Sequence, residues 1–159
     1  MKNETKIEHT SDREILVTRT INGPARLVWE AWTKAEYFKQ WWVPKSMNMQ
    51  LLSCEVDART GGGYRLVFGI DPKDPSKTMA FFGKYLEVTA PSRLVWTNEE
   101  SGPNGSVTTL TLEEKPDGKT LVTVRELYPT KEALAAAGGA EEGFVESLDQ
   151  LEDFVATRK

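Results

Sequence analysis

Pro24-Ala-Arg-Leu-Val-Trp-Glu-Ala-Trp-Thr33, followed at once by Ala35-Glu-Tyr-Phe-Lys-Gln-Trp-Trp-Val43, carries four of the chain's five tryptophans. Ala25, Val28, Trp29 and Trp32 recur at helical spacing and give the first half one apolar face. Asn22-Gly23-Pro24 just ahead is a helix-start signal, with proline at the first helical position. Thr33 is placed to cap a second helix, Glu36 completes a capping box, and Pro44 stops the helix after Trp41-Trp42. This much aromatic surface on two short helices has to pack against something large. Most of the remaining chain reads as strands, and a sheet is the natural partner.

Working outward, Glu14 to Ile21 is rich in β-branched residues and reads as the first strand. Residues 1–12 are polar and read as a flexible tail, leaving 13–159 as a single domain. Beyond Pro44 the period changes to two. Met49 to Asp57, Tyr64 to Ile70, Thr78 to Thr89, Arg93 to Glu99, Ser106 to Glu113 and Thr120 to Glu126 all read as strands. Turn-rich joints separate them: Gly61-Gly62-Gly63, Asp71-Pro-Lys-Asp-Pro75, Ala90-Pro91-Ser92, Gly102-Pro-Asn-Gly105 and Pro116-Asp-Gly118. Short loops between consecutive strands imply antiparallel hairpins. The Ala133–Ala140 stretch reads as a helical lead-in ending at Gly138-Gly139, and whether Pro129–Gly139, with its glycines over the sheet's mouth, is a movable lid stays open at this point.

Gly143 to Thr157 closes the chain as an amphipathic helix. Phe144, Leu148, Leu151 and Val155 form its apolar face, with Glu146, Asp149, Gln150 and Glu152 mostly facing away. The order predicts an α+β fold in which a twisted, seven-stranded antiparallel sheet curls around one long C-terminal helix. Gly61-Gly62-Gly63 and Gly83 suit the bends or bulges of such a curl. The two early helices plug one end, and a single helix leaves an apolar hollow in a curved sheet.

Composition bounds the function. The 159 residues are 39% hydrophobic and 28% charged, as in ordinary globular proteins. A net charge of −4 argues against nucleic acid and against anionic membrane surfaces as partners. No apolar run approaches the roughly 20 residues of a membrane-spanning helix. The N-terminus lacks a signal peptide's apolar core, and the single cysteine suits a reducing compartment, so a cytoplasmic location is expected. With one histidine, in the polar N-terminal stretch, no Ser-His-Asp or Cys-His arrangement can be assembled. One Cys and one His cannot close a zinc shell, Asp71-Pro-Lys-Asp74 lacks the spacing of a calcium loop, and Gly61-Gly62-Gly63 leads into a strand rather than a phosphate-binding helix. No metal and no cofactor are expected.

Candidate site residues follow from alternation. Trp41 and Trp42 are adjacent, so one of them lies at a cavity rim. Phe68, Phe82, Trp96, Tyr128, Phe144 and Leu148 are expected to line the hollow together with Trp42. In Phe81-Phe82 one ring points each way. Cys54, alternating with Leu52 and Val56, reads as a small core residue or a cavity thiol. Glu126 follows Val122 and Val124 on an apolar face and is the candidate general base. Arg65 and Arg125 read as outward-facing ion-pair partners or, second in preference, as anchors for an anionic ligand group.

These elements together resemble a known superfamily. Pro24-Ala-Arg-Leu-Val-Trp-Glu-Ala-Trp-Thr33, Trp41-Trp42, Gly61-Gly-Gly-Tyr-Arg65, Gly83-Lys-Tyr-Leu-Glu-Val88, Ala90-Pro91-Ser-Arg-Leu-Val-Trp-Thr97 and the final helix resemble the START-like (SRPBCC) superfamily, with the helix-grip fold of the birch pollen allergen. Within it the chain is similar to bacterial homologues of the heat-shock-protein-90 ATPase activator C-terminal domain. The resemblance spans about residues 14–157, with Gly143-Phe144 where many relatives carry Gly-Trp. It implies one of three roles. In order of preference these are binding of a small hydrophobic or amphipathic ligand, a chaperone partnership, and cyclase- or hydrolase-like chemistry on a cavity acid. A monomer or homodimer is expected.

Overall fold

Alternating apolar residues build eight strands into one antiparallel sheet in the computed structural model, which describes residues 4–47, 49–71, 73–99, 105–136 and 140–158. The strands are β1 (Thr5–His9), β2 (Glu14–Ile21), β3 (Gln50–Val56), β4 (Gly63–Gly69), β5 (Thr78–Thr89), β6 (Arg93–Thr97), β7 (Val107–Glu114) and β8 (Thr120–Leu127). Their spatial order is β1-β2-β8-β7-β6-β5-β4-β3, so β3 to β8 form a meander and β2 closes onto β8. Helices α1 (Ala25–Thr33) and α2 (Ala35–Trp41) follow β2, a 3-10 turn spans Lys45–Met47, and α3 (Lys131–Ala136) precedes the long α4 (Ala140–Arg158). This is the helix-grip arrangement.

One strand more than expected is present. Thr5–His9 does not fray as a tail but pairs with β2, Thr5 opposite Arg19 and His9 opposite Ile15. Its polar composition hides it, because Ile7 is its one aliphatic residue and leaves no alternation to count, although its partner is the very next strand. Ile7 packs against the core, and Thr5 Oγ1 accepts a 2.7 Å hydrogen bond from Arg19.

The expected helix caps are also corrected. Pro24 is the N-cap of α1 rather than its first residue, and the Ala25 N–H donates to a Glu114 carboxylate oxygen at 2.8 Å. Thr33 stays helical and its hydroxyl donates back to the Trp29 carbonyl at 2.8 Å, so it caps nothing; Lys34 stands at the start of α2 without a side-chain cap. Of the predicted joints, residues 72, 101–104 and 137–139 lie outside the described residues, and with them the tip of the proposed lid and the glycine end of its helical lead-in.

One face of the sheet carries the core. Cross-strand register aligns Ile15, Glu126, Thr108, Trp96 and Tyr85 as one rung, and Val17, Val124, Leu110 and Leu94 as the next. Against these lie Leu148, Leu151 and Val155 of α4, all fully buried. The curl is made where backbones crowd. A Cβ on Gly83 would sit 1.8 Å from the Thr97 carbonyl oxygen, so only glycine lets β5 approach β6 there. The register shifts between Tyr85 and Glu87, and again between Leu51 and Ser53, where β-bulges bend the strands further.

Candidate functional site

Between this curved face, α1, α2 and α4 lies a cavity of about 820 Å3. Its apolar walls come from four places. Trp32 and Phe38 project from the first two helices, Trp42 and Val43 from the segment after α2, Leu66, Phe68 and Phe81 from β4 and β5, and Phe144 from α4. Trp42 stacks on Phe38 with centroids 4.8 Å apart and meets Phe144 edge-on at 5.8 Å. Trp41 turns the other way into the core, where its Nε1–H donates to the Ala31 carbonyl at 2.9 Å. Adjacent tryptophans thus divide the labour, one for the core and one for the cavity wall.

A polar pole stands at one end of the sheet face. Glu126 and Thr108 are direct cross-strand partners, and Asn98, Ser106 and Tyr128 lie on the next rung. The Tyr128 hydroxyl donates to Glu126 Oε2 at 3.0 Å. Asn98 Nδ2 donates to Thr108 Oγ1 at 2.9 Å and to Ser106 Oγ at 3.0 Å. The Tyr64 hydroxyl lies 2.8 Å from the Thr97 carbonyl and 3.0 Å from Asn98 Oδ1, to which it donates. Among the described residues Glu126 is the one acidic or basic side chain in the lining. Burial pushes the Tyr85 phenol well above its usual range, with the neighbouring ionisable groups of Cys54 and Asp57 adding to the effect, so it stays neutral. Trp32 is 2% exposed, and its Nε1–H finds no acceptor among the described residues.

Six of the nine candidate residues line this cavity: Trp42, Phe68, Trp96, Glu126, Tyr128 and Phe144. Three do not. Phe82 is 41% exposed on the outer face, because Phe81, not Phe82, shares parity with buried Tyr85. There it borders an open surface hollow of about 660 Å3 lined also by Glu55, Asp57 and Arg65. Cys54 does face inward, but α2 covers it, its thiol lying 3.8 Å from the Ala35 carbonyl. The bulge after Leu51 breaks the alternation counted there and leaves Leu52 50% exposed. Leu148, on the inner face of α4, is fully buried as core. Sequence reasoning missed Tyr64, Leu66 and Phe81, although their parity with Phe68 and Tyr85 marks them. Asn98 and Ser106 carry no such signal, since they sit at strand ends.

The polar side chains of α4 were expected to face solvent, and the structure turns them to other work. Gln150 Nε2 donates to the carbonyls of Trp41 at 2.7 Å and Val43 at 2.8 Å, while its Oε1 accepts from the Lys45 N–H at 2.9 Å. Ser147 Oγ donates to the Trp42 carbonyl at 2.6 Å. Glu146 accepts from both the N–H and the hydroxyl of Ser46, which holds its carboxyl below the usual range. The segment carrying Trp42 is therefore latched to α4 through its backbone. On the far side, Arg19 is buried with its guanidinium 2.8 Å from Asp149 and 2.7 Å from Glu152. Arg125 pairs outward with Glu14 at 2.7 Å.

Among the described residues no His, Cys, Asp and Glu side chains gather into a group able to hold a metal ion. No described helix is long and apolar enough to cross a membrane.

The family model described as "Activator of Hsp90 ATPase homolog 1-like protein" matches residues 22–156. Among solved structures, a Rhodobacter sphaeroides protein superposes with a TM-score of 0.86 at 21% identity, covering 98% of this chain and 100% of its own. A Staphylococcus epidermidis protein gives 0.76 at 28% identity, with 97% of this chain and 95% of that one covered. The AHSA1-like protein from Aeromonas hydrophila gives 0.69 at 22% identity, with 90% and 93% covered. Among curated proteins none matches the chain.

Proposed function

From the premise that the chain belongs to the Activator of Hsp90 ATPase homolog 1-like family, we propose that it binds a small apolar or amphipathic molecule in the cavity between sheet and C-terminal helix. The observation that carries this reading is the cavity itself. At about 820 Å3 it falls in the range of small-molecule sites, and aromatic and aliphatic side chains line most of it. Affinity would come from removing ligand apolar area from water, about 25 cal/mol per Å2, less the cost of ordering. The test is native mass spectrometry of purified protein before and after denaturing extraction. A co-purifying small molecule supports the reading, and a chain that stays empty after incubation with fatty acids, flavonoids and sterols removes it.

The family's description favours a second reading, a chaperone partnership. Exposed Leu52 on β3 and exposed Phe82 and Leu86 on β5 offer apolar surface to a partner. Stimulation of a chaperone's ATPase by the purified chain would support it, and an unchanged rate with no complex in a pull-down would exclude it.

A further inference from the structure

We infer that Tyr85 and Trp96 form a donor pair that anchors a carbonyl-type oxygen of an uncharged ligand inside the cavity. The inference rests on the cavity-binding reading above and adds the anchor and the chemistry it recognises.

Protons without acceptors decide what this lining asks of a ligand. Tyr64, Asn98, Tyr128 and Ser147 already donate within the protein. The hydroxyls of Tyr85 and Ser106 and the indole N–H groups of Trp32, Trp42 and Trp96 meet no acceptor among the described residues. These donors are not equivalent. Trp32 Nε1 is covered by its neighbours, and Trp42 and Ser106 are half-buried, where water serves them. Tyr85 and Trp96 are only 5% and 8% exposed, yet their polar atoms are not sealed as that of Trp32 is. They are direct cross-strand partners on the concave face, so two donors rise from one patch of wall.

An indole N–H donates only, so whatever meets Trp96 must be an acceptor. A carbonyl oxygen has two lone pairs and no proton, which suits it to both donors. A ligand that expels water from this patch without replacing its hydrogen bonds leaves two protons unmet. A site built to bond a polar group rejects the analogue that lacks it. Charge narrows the choice further. Burial and the neighbouring ionisable groups of Cys54 and Asp57 keep the phenol protonated, and the same surroundings disfavour an anion on the ligand.

Acetylnaphthalene and isopropenylnaphthalene, substituted at the same carbon, share one shape and differ by a carbonyl oxygen against a methylene, which makes them the probes. Each is titrated into the full chain and into folded Tyr85→Phe, following tryptophan fluorescence and native mass spectrometry. Comparing each probe with itself cancels their different solubilities. Tyr85→Phe is expected to weaken the ketone roughly five- to tenfold, the worth of one hydrogen bond between neutral groups, and to leave the alkene within about twofold. Ketone and alkene responding alike overturns the donor-pair inference while the carrier reading survives. A second readout needs no variant. The infrared carbonyl stretch of the ketone bound to the wild-type chain is expected below its frequency in a hydrocarbon solvent. A stretch at the hydrocarbon value overturns the inference even if Tyr85→Phe does not fold. Failure of both probes to bind the wild-type chain removes the carrier reading and this inference with it.

Discussion

Arg19 shows how much one side chain holds at the sheet–helix boundary. Its guanidinium is buried beneath α4 and bonded to Asp149, Glu152 and Thr5, so it ties β1, β2 and the C-terminal helix together. Its Nε has no partner among the described residues, so the pair is incompletely satisfied. Arg19→Ala would take from Glu152, only 5% exposed, the guanidinium that lies 2.7 Å from its carboxylate. A loss of about 3–5 kcal/mol in urea unfolding is expected, and a loss under 1 kcal/mol would show that water reaches the site. Cys54 makes a prediction of a different kind. Burial raises its thiol above the usual range, with Lys39 pulling weakly the other way. Iodoacetamide at pH 8 should therefore label the folded chain much more slowly than the urea-unfolded chain, with equal rates showing that α2 does not cover the thiol.

At the scale of elements, the sheet's curl and the latch on α4 carry the cavity. Gly83→Ala would drive a Cβ to within 1.8 Å of a backbone oxygen on the neighbouring strand. It should cost about 3 kcal/mol or more, since backbone cannot step aside as a flexible side chain can. Gly118 tests the contrast. Its φ is +83° but a Cβ there meets open space, so Gly118→Ala should cost only about 1–2 kcal/mol of left-handed strain. Melting curves of both variants decide between crowding and conformation. The latch is sensitive to acid through Glu146. The Ser46 hydrogen bonds lower its folded pKa from an ordinary 4.5, so its contribution is present above that value and lost as pH falls through the lowered one. The melting temperature of Glu146→Gln should fall below wild type near neutrality, and the gap should close as the pH drops below about 4. A gap constant with pH would mean the carboxylate contributes only shape.

For the molecule as a whole, the cavity turns a fold into a testable function. Phe81 lines it while Phe82 faces outward, which makes adjacent residues a matched pair of controls. Phe81→Ala should weaken decanol binding roughly tenfold by removing apolar contact, and Phe82→Ala should leave it within about twofold. Equal effects would place the ligand elsewhere. Catalysis on the cavity acid is checked by the same chemistry: any turnover found for the protein should vanish in Glu126→Gln if Glu126 is the base, and persist if it is not.

Most of this architecture is legible in the chain itself. Period-two alternation from β2 through β8, the helical spacing around Trp29 and Trp32, and the apolar stripe Leu148-Leu151-Val155 are local patterns, and local patterns state which face of an element is apolar. Thr78–Thr89 was readable to its end residues for that reason. Tertiary structure decided whatever depends on a distant partner. Thr5–His9 has its partner in the very next strand, yet its polar residues show no alternation and it becomes a strand only on the edge that β2 offers. Cys54 is covered by α2, Gln150 and Glu146 bond to a backbone a hundred residues earlier, and Asn98, Ser106, Tyr128 and Glu126 meet only when three strand ends align. Burial of an apolar stripe is rewarded wherever the partner lies, so sequence alone records it. A hydrogen bond is directional and short-ranged, so its partner is chosen only once the folded backbone has brought the two groups within reach.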